Sequence, residues 1–358
     1  MGHGPRRHHL PRSTAVNHPP GVTTMHPARK PIPLTIVSGF LGAGKTTLLN
    51  HILNSDHGLR IAVVVNDFGR INVDAKLIVA QDPETISLAN GCICCSMGDS
   101  LMITLLALLQ RPVPPEHLII EASGVSDPWK IAQIGVSNDA FALDAIIALA
   151  DVELVRDQAS DKYVGETVLR QLAAADIIVL NKLDLVSEEQ AEASRNWIEG
   201  FVPQARVIET TQARAPLAVL LRAGASRAAA QVTQESRDDR GSHEGEHSHD
   251  EEYWTWAFTA DVPFRGKALR EAISALPLPV IRAKGVLFVD EDPLRQFLFQ
   301  LVGKRWDLTP GPRWGEAPPR SQLVIIGRLQ EVDASALLAS FHSALVASSG
   351  ATFSKSAQ

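Results

Sequence analysis

The stretch that decides the fold of this chain reads Gly39-Phe40-Leu41-Gly42-Ala43-Gly44-Lys45-Thr46. It fills every position of the G-x-x-x-x-G-K-[ST] pattern, whose backbone N–H groups surround phosphate groups. An apolar run at 34–37 precedes it and indicates a buried strand, while apolar residues recur at helical spacing over 48–53. A strand, a glycine-rich turn and a helix N-terminus therefore follow in the order that a phosphate-binding loop requires.

Each residue type in this loop has a chemical use. The glycines allow N–H groups to turn inward around phosphate oxygens. Lys45 supplies positive charge to the β- and γ-phosphates, and the hydroxyl of Thr46 can ligate Mg²⁺. We therefore predict a nucleotide site whose phosphate-binding residues are Gly39, Gly42, Ala43, Gly44, Lys45, Thr46 and Thr47.

Bulk properties limit the class of protein. A chain of 358 residues suggests two domains, and 45% hydrophobic residues are enough to pack both. The net charge of −6 and the lack of long basic runs argue against nucleic acid or an anionic membrane as the main partner. The three cysteines lie together at 92–95. They cannot form a long-range disulfide, so we expect the reducing cytoplasm as the compartment.

Short apolar runs alternate with helical patterns between residues 31 and 222. The runs are 34–37, 61–65, 118–120, 145–149, 177–180 and 206–208. Asp127 before Pro128, and a capping box of Ser187 with Gln190, predict two of the helix starts. Such alternation is typical of a parallel sheet with helices on both faces. We therefore predict a doubly wound α/β domain over 31–222.

The rest of the chain divides by composition. Residues 1–30 are rich in Pro and His and are expected to form a disordered tail, with Met25 as an alternative start. Residues 223–252 are acidic, contain His and lack apolar periodicity, which predicts a linker. Strands at 253–258, 280–289, 295–302 and 322–328, with helices at 266–276 and 334–345, predict a smaller α+β domain over 253–348. Residues 349–358 are expected to be a tail.

Carboxylates follow two of the predicted strands of the nucleotide domain. Glu121 ends the run at 118–120 and is a candidate for the Mg²⁺ shell or for positioning water, and Gly124 could bring its backbone to the γ-phosphate. Asp67 follows the second strand, with Asp74 beyond it, and could ligate Mg²⁺ or a transported metal. The alternative for Asp67 is an ordinary turn carboxylate. The predicted catalytic set is Lys45, Asp67 and Glu121.

The tetrapeptide Asn181-Lys182-Leu183-Asp184 follows the apolar run at 177–180. A base-recognition loop is expected at the carboxyl end of such a strand. Asp184 can accept hydrogen bonds from N1–H and the 2-amino group of guanine, a donor pair that adenine lacks. Asn181 and Lys182 are expected to hold the loop and flank the base, which favours GTP over ATP.

The cysteine cluster Cys92-Ile93-Cys94-Cys95 is the unusual feature. Thiolates select soft or borderline cations such as Zn²⁺, Cu⁺ or Co²⁺, and three thiols in four residues favour an open site over a closed structural one. Buried thiols without a ligand are the alternative reading. His243, His247 and His249 could bind metal weakly, although a solvated spacer explains the same residues equally well.

Together these motifs resemble the CobW-type family of P-loop GTPases and metallochaperones, relatives of the GTPases that deliver nickel to urease and hydrogenase. The resemblance covers roughly residues 33–328 and rests on the phosphate loop and five further segments. These are Asn66-Asp67-Phe68-Gly69 with Asp74, Cys92-Ile93-Cys94-Cys95, Glu121-Ala122-Ser123-Gly124, Asn181-Lys182-Leu183-Asp184 and Arg282-Ala283-Lys284-Gly285. Two departures are visible: Asp67 stands where many members carry Glu, and Ala122 where Thr or Pro is frequent.

The resemblance implies GTP hydrolysis coupled to the transfer of a divalent metal, Zn²⁺ or Co²⁺, to a client apo-metalloprotein. It implies Cys94 and Cys95 as principal metal ligands, Cys92 as a further thiol, Lys45 and Thr46 at the phosphates and Mg²⁺, and Asp184 at guanine. It leaves a homodimer open. Two alternatives remain at this point: a zinc buffer or sensor whose nucleotide site only stabilises the fold, or a GTPase activator of a cobalamin or nitrile hydratase enzyme.

Overall fold

The computed structural model describes residues 30–65, 85–87, 97–221, 253–277, 279–303, 305–316, 318–328, 333–346 and 351–357. The predicted N-terminal tail and the His-containing linker lie outside these residues, apart from Lys30. Within the described ranges, no helix is long and apolar enough to cross a membrane.

The first domain is a seven-stranded sheet in which every neighbouring pair is parallel. Its strands are β1 (Ile32–Gly39), β2 (Ile61–Val65), β3 (Thr85–Ser87), β4 (His117–Glu121), β5 (Phe141–Asp151), β6 (Ile177–Asn181) and β7 (Arg206–Thr210). Its helices are α1 (Lys45–Asn54), α2 (Met97–Leu109), α3 (Pro128–Val136), α4 (Val155–Ser160), α5 (Gly165–Ala174), α6 (Glu188–Phe201) and α7 (Leu217–Leu220). All six predicted strands are present, β2 with the predicted bounds and the other five longer.

The strand order β3-β2-β4-β1-β5-β6-β7 places β1 between β4 and β5. The strands that follow β1 in the chain lie on both sides of it, so the strand order reverses at β1. In such folds, ligands bind outside the carboxyl ends of the strands at this reversal point. Separate apolar clusters cover the two faces: Leu48 and Ile52 of α1 pack on Val63, while Leu101 of α2 packs on Ile120. The predicted doubly wound α/β domain is therefore confirmed.

Both predicted helix starts are present. Asp127 caps α3 by accepting a hydrogen bond from the N–H of Trp129, with Pro128 in the first turn. Ser187 and Gln190 form the reciprocal capping box of α6. Each cap satisfies N–H groups that have no partner inside the helix, so local sequence fixes where these helices begin.

The second domain is a six-stranded sheet in which neighbouring strands are antiparallel, in the order β11-β10-β9-β12-β8-β13. The strands are β8 (Tyr253–Ala260), β9 (Val280–Phe288), β10 (Arg295–Val302), β11 (Arg305–Arg313), β12 (Ser321–Arg328) and β13 (Ala351–Ala357). Helices α8 (Gly266–Ser274) and α9 (Ala334–Ser343) complete it. Its core is aromatic, with Trp256, Phe258, Phe264 and Phe341 all buried.

Three strands differ from prediction. The expected tail at 349–358 is wrong, because residues 351–357 form β13 and pair with β8. Strand β11 was not predicted, because Pro310, Gly311 and Pro312 weaken any strand pattern. The structure tolerates these prolines because, among the described strands, β11 pairs with β10 alone, and an edge strand needs no N–H donors on its outer side. Strand β3, at three residues, was too short to detect.

Buried arginines join the two domains. Arg282 of β9 forms a bidentate ion pair with Asp144 of β5, in which both N–O distances are 3.1 Å. Arg282 also donates to the carbonyls of Val219 and Leu220. Arg206 donates to the carbonyls of Val280 and Gly303. Burial lowers the pKa of the Arg206 guanidinium to about 10, which leaves it charged at neutral pH.

These contacts between the two domains lie at one end of the parallel sheet. Asp144 is near the start of β5, Arg206 is the first residue of β7, and Arg305 pairs with Asp176 just before β6 at 2.6 Å. The phosphate loop follows the opposite, carboxyl end of β1. The second domain is therefore attached at the end of the sheet away from the phosphate loop.

Candidate nucleotide-binding site

The phosphate loop depends on glycine at its two ends. Gly39 has φ 135°, and a Cβ there would lie 2.4 Å from the carbonyl oxygen of Leu149. Gly44 has φ 108°, and a Cβ there would lie 2.5 Å from Nδ2 of Asn181. Both φ values disfavour other residues, and both close approaches exclude a side chain. The loop can therefore lie directly against β5 and the carboxyl end of β6.

Lys45 is the first residue of α1 and is only 9% exposed. Its ammonium donates to the carbonyl oxygens of Gly39 (3.0 Å) and Phe40 (3.3 Å), so the loop curls around the charge. The first turn of α1 contains no acidic residue. The helix N-terminus and the ammonium thus add positive potential at one place, which suits phosphate oxygens.

Glu121 ends β4 beside the phosphate loop. It pairs in register with Val37 of β1 and is 3% exposed, and the next N–H, from Ala122, donates to the carbonyl of Val37 at 2.8 Å. Thr46 is the second residue of α1. A hydroxyl and a carboxylate beside a phosphate site are the oxygen ligands that Mg²⁺ takes, so these residues fit that ion.

The loop after β4 is packed tightly against the phosphate loop. A Cβ on Gly124 would lie 2.5 Å from Cδ2 of Leu41 and 3.0 Å from its backbone N. On the other side, Gln171 of α5 donates to the carbonyls of Gly124 (3.0 Å) and Ser126 (3.2 Å). The sequence predicted Gly124 but not Gln171, because one glutamine in a helical pattern carries no signal.

Asn181 connects the base-recognition loop to two other loops. Its Nδ2 donates to the carbonyl of Ala43 at 3.0 Å, and its Oδ1 accepts from the N–H of Ala213 at 2.7 Å and the hydroxyl of Thr210 at 3.3 Å. Asn181 therefore holds its loop against the phosphate loop. Thr210 and Ala213 were not predicted, and the positive φ of 54° at Gln212 and Ala213 is not visible in the sequence.

Lys182 and Asp184 occupy the rest of that loop. Lys182 has φ 70°, and its ammonium lies 2.6 Å from Oδ2 of Asp151, a carboxylate whose side chain is 4% exposed. The other oxygen of Asp151 accepts from the N–H of Glu153 at 3.1 Å. The structure thus gives Lys182 a partner, Asp151, that sequence reasoning missed. Asp184 is exposed in a single 3₁₀ turn, Leu183–Leu185, where its carboxylate is accessible to a base.

The remaining predicted site residues are Asp67, Asp74, Cys92, Cys94, Cys95, His243, His247 and His249, and they lie outside the described ranges. Among the residues that the structure describes, no group of three or more His, Cys, Asp or Glu could hold a metal ion. A metal site at the cysteines therefore remains a prediction from sequence.

A glycine-rich loop around a lysine, a buried carboxylate at the next strand and an Asn-Lys-x-Asp loop define a P-loop nucleotide-binding protein of the guanine-specific class. Comparison with known families agrees. Residues 33–209 match the model described as "CobW/HypB/UreG, nucleotide-binding domain". Residues 253–345 match "Cobalamin synthesis protein cobW C-terminal domain".

Several characterised proteins are similar along most of the chain. "Zinc-regulated GTPase metalloprotein activator 1" of Dictyostelium discoideum is 32% identical over 317 residues, which cover 76% of this chain and 66% of that protein. "Zinc chaperone YjiA" of Escherichia coli is 31% identical over 305 residues, covering 83% and 94%. "Zinc chaperone CobW" of Pseudomonas aeruginosa is 33% identical over 350 residues, covering 88% and 92%.

The chain therefore belongs to the CobW/HypB/UreG family and carries the CobW C-terminal domain. It is a GTPase, whose reaction converts GTP to GDP and phosphate. The resemblance drawn from its motifs is confirmed.

Proposed function

We propose that this protein is a GTP-hydrolysing metallochaperone that binds Zn²⁺ or Co²⁺ at Cys92, Cys94 and Cys95 and passes it to a client apo-metalloprotein. The observation that most directly supports this proposal is the hydrogen bond from Asn181 to Ala43, which holds the phosphate loop to an Asn-Lys-x-Asp loop. In the same domain, three cysteines stand between β3 and α2. Relatives named zinc chaperones support zinc as the first metal to test.

In this proposal each site residue has a separate role in binding or hydrolysing GTP. Lys45 and the N-terminus of α1 hold the phosphates, and Gly124 offers backbone to the γ-phosphate. Mg²⁺, held by Thr46, Asp67 and Glu121, would offset charge on the phosphates. Asp184 accepts both donors of guanine, while Asn181 keeps that loop beside the phosphate loop.

The proposed coupling runs through the carboxyl end of β2. Asp67 follows β2 by two residues, and β3, which pairs with β2, precedes the cysteines in the chain. Ordering of the Asp67–Asp74 segment by a γ-phosphate would bring the thiolates together. Hydrolysis would then lower metal affinity and release the ion to the client.

The test is metal affinity measured by competition with a chromophoric chelator for Zn²⁺ and Co²⁺. It is run without nucleotide, with GDP, and with a non-hydrolysable GTP analogue plus Mg²⁺. We expect at least tenfold tighter binding with the analogue, which corresponds to about 1.4 kcal/mol. The Cys94→Ser, Cys95→Ser double variant is expected to lose this tight site, because the thiolates are its ligands.

Lys45→Met provides a matched control, since it should keep metal affinity without nucleotide and lose the response to the analogue. Equal affinity of the unaltered protein in all three states would refute the gated carrier. Tight binding in every state together with negligible hydrolysis would favour the buffer or sensor. Thiol oxidation by mild peroxide without metal stoichiometry would favour the GTPase activator of a cobalamin or nitrile hydratase enzyme, with the cysteines as redox sensors.

Base recognition by Asp184 gives a separate prediction. Asp184→Asn is expected to weaken GTP and GDP binding by roughly tenfold or more, because a hydrogen bond to a charged group contributes about 1.5–3 kcal/mol. Xanthosine triphosphate should gain, since xanthine has a carbonyl in place of the 2-amino group and the Asn amide can donate to it.

Nucleotide affinities measured by fluorescence competition would check this switch. Asp139→Asn, at an exposed position between α3 and β5, removes the same charge away from the loop and should change neither affinity. Unchanged GTP preference in Asp184→Asn would remove Asp184 from base recognition.

The other expectations from sequence complete the proposal. Reduced cysteines favour the cytoplasm as the compartment. The net charge of −6 favours a protein client over nucleic acid or an anionic membrane. A homodimer stays open, and the mass measured by light scattering with GDP and with the GTP analogue would settle it.

A further inference from the structure

Gln171 places a buried amide behind the loop that follows β4. It is 2% exposed and lies on α5 in a buried stripe with Val168 and Leu172. Its Nε2 makes both hydrogen bonds that it can donate, to the carbonyls of Gly124 and Ser126. Among the described residues, its buried Oε1 has no hydrogen-bond partner. The amide therefore directs its donors to the loop that follows β4, where an apolar side chain would leave two buried carbonyls without this donor.

The loop that Gln171 contacts is held from three directions. Gly124 touches Leu41 of the phosphate loop so closely that no Cβ fits. Inside the loop, the Ser123 and Ser126 hydroxyls are 2.6 Å apart, and the N–H of Ser126 donates to the carbonyl of Ser123 at 3.0 Å. The two bonds from Gln171 fix the carbonyl groups of Gly124 and Ser126, the residues on either side of Val125. The backbone between Glu121 and α3 is therefore positioned by the phosphate loop, by its own turn and by α5.

From these contacts we infer that Gln171 is a positioning residue for GTP hydrolysis. It holds the Gly124 loop at the distance from the phosphate loop where its backbone meets the γ-phosphate. This rests on the proposed function, in which the γ-phosphate lies between the phosphate loop and Gly124. Gln171 does not itself touch nucleotide, because it reaches the site only through carbonyl oxygens on the far side of the loop.

The position of Gln171 predicts which nucleotide state it affects. In the proposed function, the phosphate loop and Lys45 bind the α- and β-phosphates, and Asp184 binds the base. None of these residues is hydrogen-bonded to Gln171 in the described structure. GDP should therefore bind whether or not Gln171 holds its loop. Only the γ-phosphate and the attacking water depend on where the Gly124 backbone lies.

The experiment compares Gln171→Met with the unaltered full-length protein. Met keeps the length and buried position of the side chain but removes both donors. We expect kcat for GTP hydrolysis to fall by about tenfold or more, since small misplacements at a reacting centre have large effects on rate. The Kd for GDP should change by less than about threefold. The preference for a non-hydrolysable GTP analogue over GDP should be lost in parallel with kcat.

Val168→Ala is the matched control, because it weakens the same buried stripe of α5 and removes no hydrogen bond to the Gly124 loop. It should lower the melting temperature and leave kcat and the analogue-to-GDP preference unchanged. Gln171→Asn keeps an amide that is one carbon too short to reach both carbonyls. It serves as the second variant if Gln171→Met does not fold, and is expected to lower kcat with GDP affinity retained.

Two results would overturn the inference. One is normal kcat in the folded Gln171 variants. The other is a loss of GDP and GTP-analogue binding in equal proportion, with the same loss in Val168→Ala, which would show a purely structural role. Failure of the proposed function would look different, because the metal affinity of the unaltered protein would then be the same without nucleotide, with GDP and with the GTP analogue.

Discussion

Replacing Lys45 by Met is expected to lower kcat for GTP hydrolysis by about 10²–10³-fold, the usual cost of removing one preorganised charge-stabilising donor. Lys45 is 9% exposed and its ammonium donates to the carbonyls of Gly39 and Phe40, so it is in place before nucleotide arrives. Little reorganisation is then needed when phosphate oxygens replace those carbonyls. Met fills the same volume without the charge, and the loop should keep its shape.

Steady-state phosphate release and the rise in melting temperature on adding GTP with Mg²⁺ measure this effect. Both should be nearly lost in Lys45→Met, since stabilisation by a ligand follows its affinity. Lys130→Met is the control, because Lys130 is exposed on α3 and is not part of the phosphate loop. Hydrolysis within a few-fold of normal in Lys45→Met would place the phosphate chemistry elsewhere.

Breaking the buried joint between the domains is expected to have the largest effect on stability. Arg282→Met removes both N–O contacts of the ion pair with Asp144, whose side chain is fully buried. Removing one partner of a buried ion pair costs about 3–5 kcal/mol. The carbonyls of Val219 and Leu220 also lose a donor. We therefore expect a fall of that size in the free energy of unfolding.

Denaturant unfolding followed by far-UV circular dichroism measures this change. Arg270→Met is the matched control, because Arg270 pairs with Glu291 where the two side chains are 39% and 44% exposed. It should cost less than about 1 kcal/mol. The double variant Asp144→Leu with Arg282→Met should recover much of the loss, since apolar pairs often replace buried ion pairs without penalty. Equal effects of Arg282→Met and Arg270→Met would show that burial does not govern the joint.

Elements with strong local signals were predicted from the sequence. The strands β1, β2, β4, β5, β6 and β7 are buried on both faces, so each appears in the sequence as a recognisable apolar run. Asp127 and Ser187 fix helix starts through bonds to residues two or three positions away. By contrast, β11 and β13 were missed or assigned to a tail, because edge strands are set by the neighbour they pair with and less by their own residues. The same holds for Asp151 and Thr210, whose partners are distant in sequence.

The sequence by itself determined the phosphate loop and the class of nucleotide, because each depends on one short segment. A glycine turn, a lysine and a helix start lie within eight residues, and the guanine-binding tetrapeptide occupies 181–184. Only the tertiary structure decided how the parts meet. Asn181 reaches Ala43 across 138 positions, Gln171 reaches Gly124 across 47, and Arg282 reaches Asp144 across 138. Such contacts depend on strand order, register and the packing of helices on the sheet. Those quantities arise from the whole buried core, and no local pattern of residues encodes them.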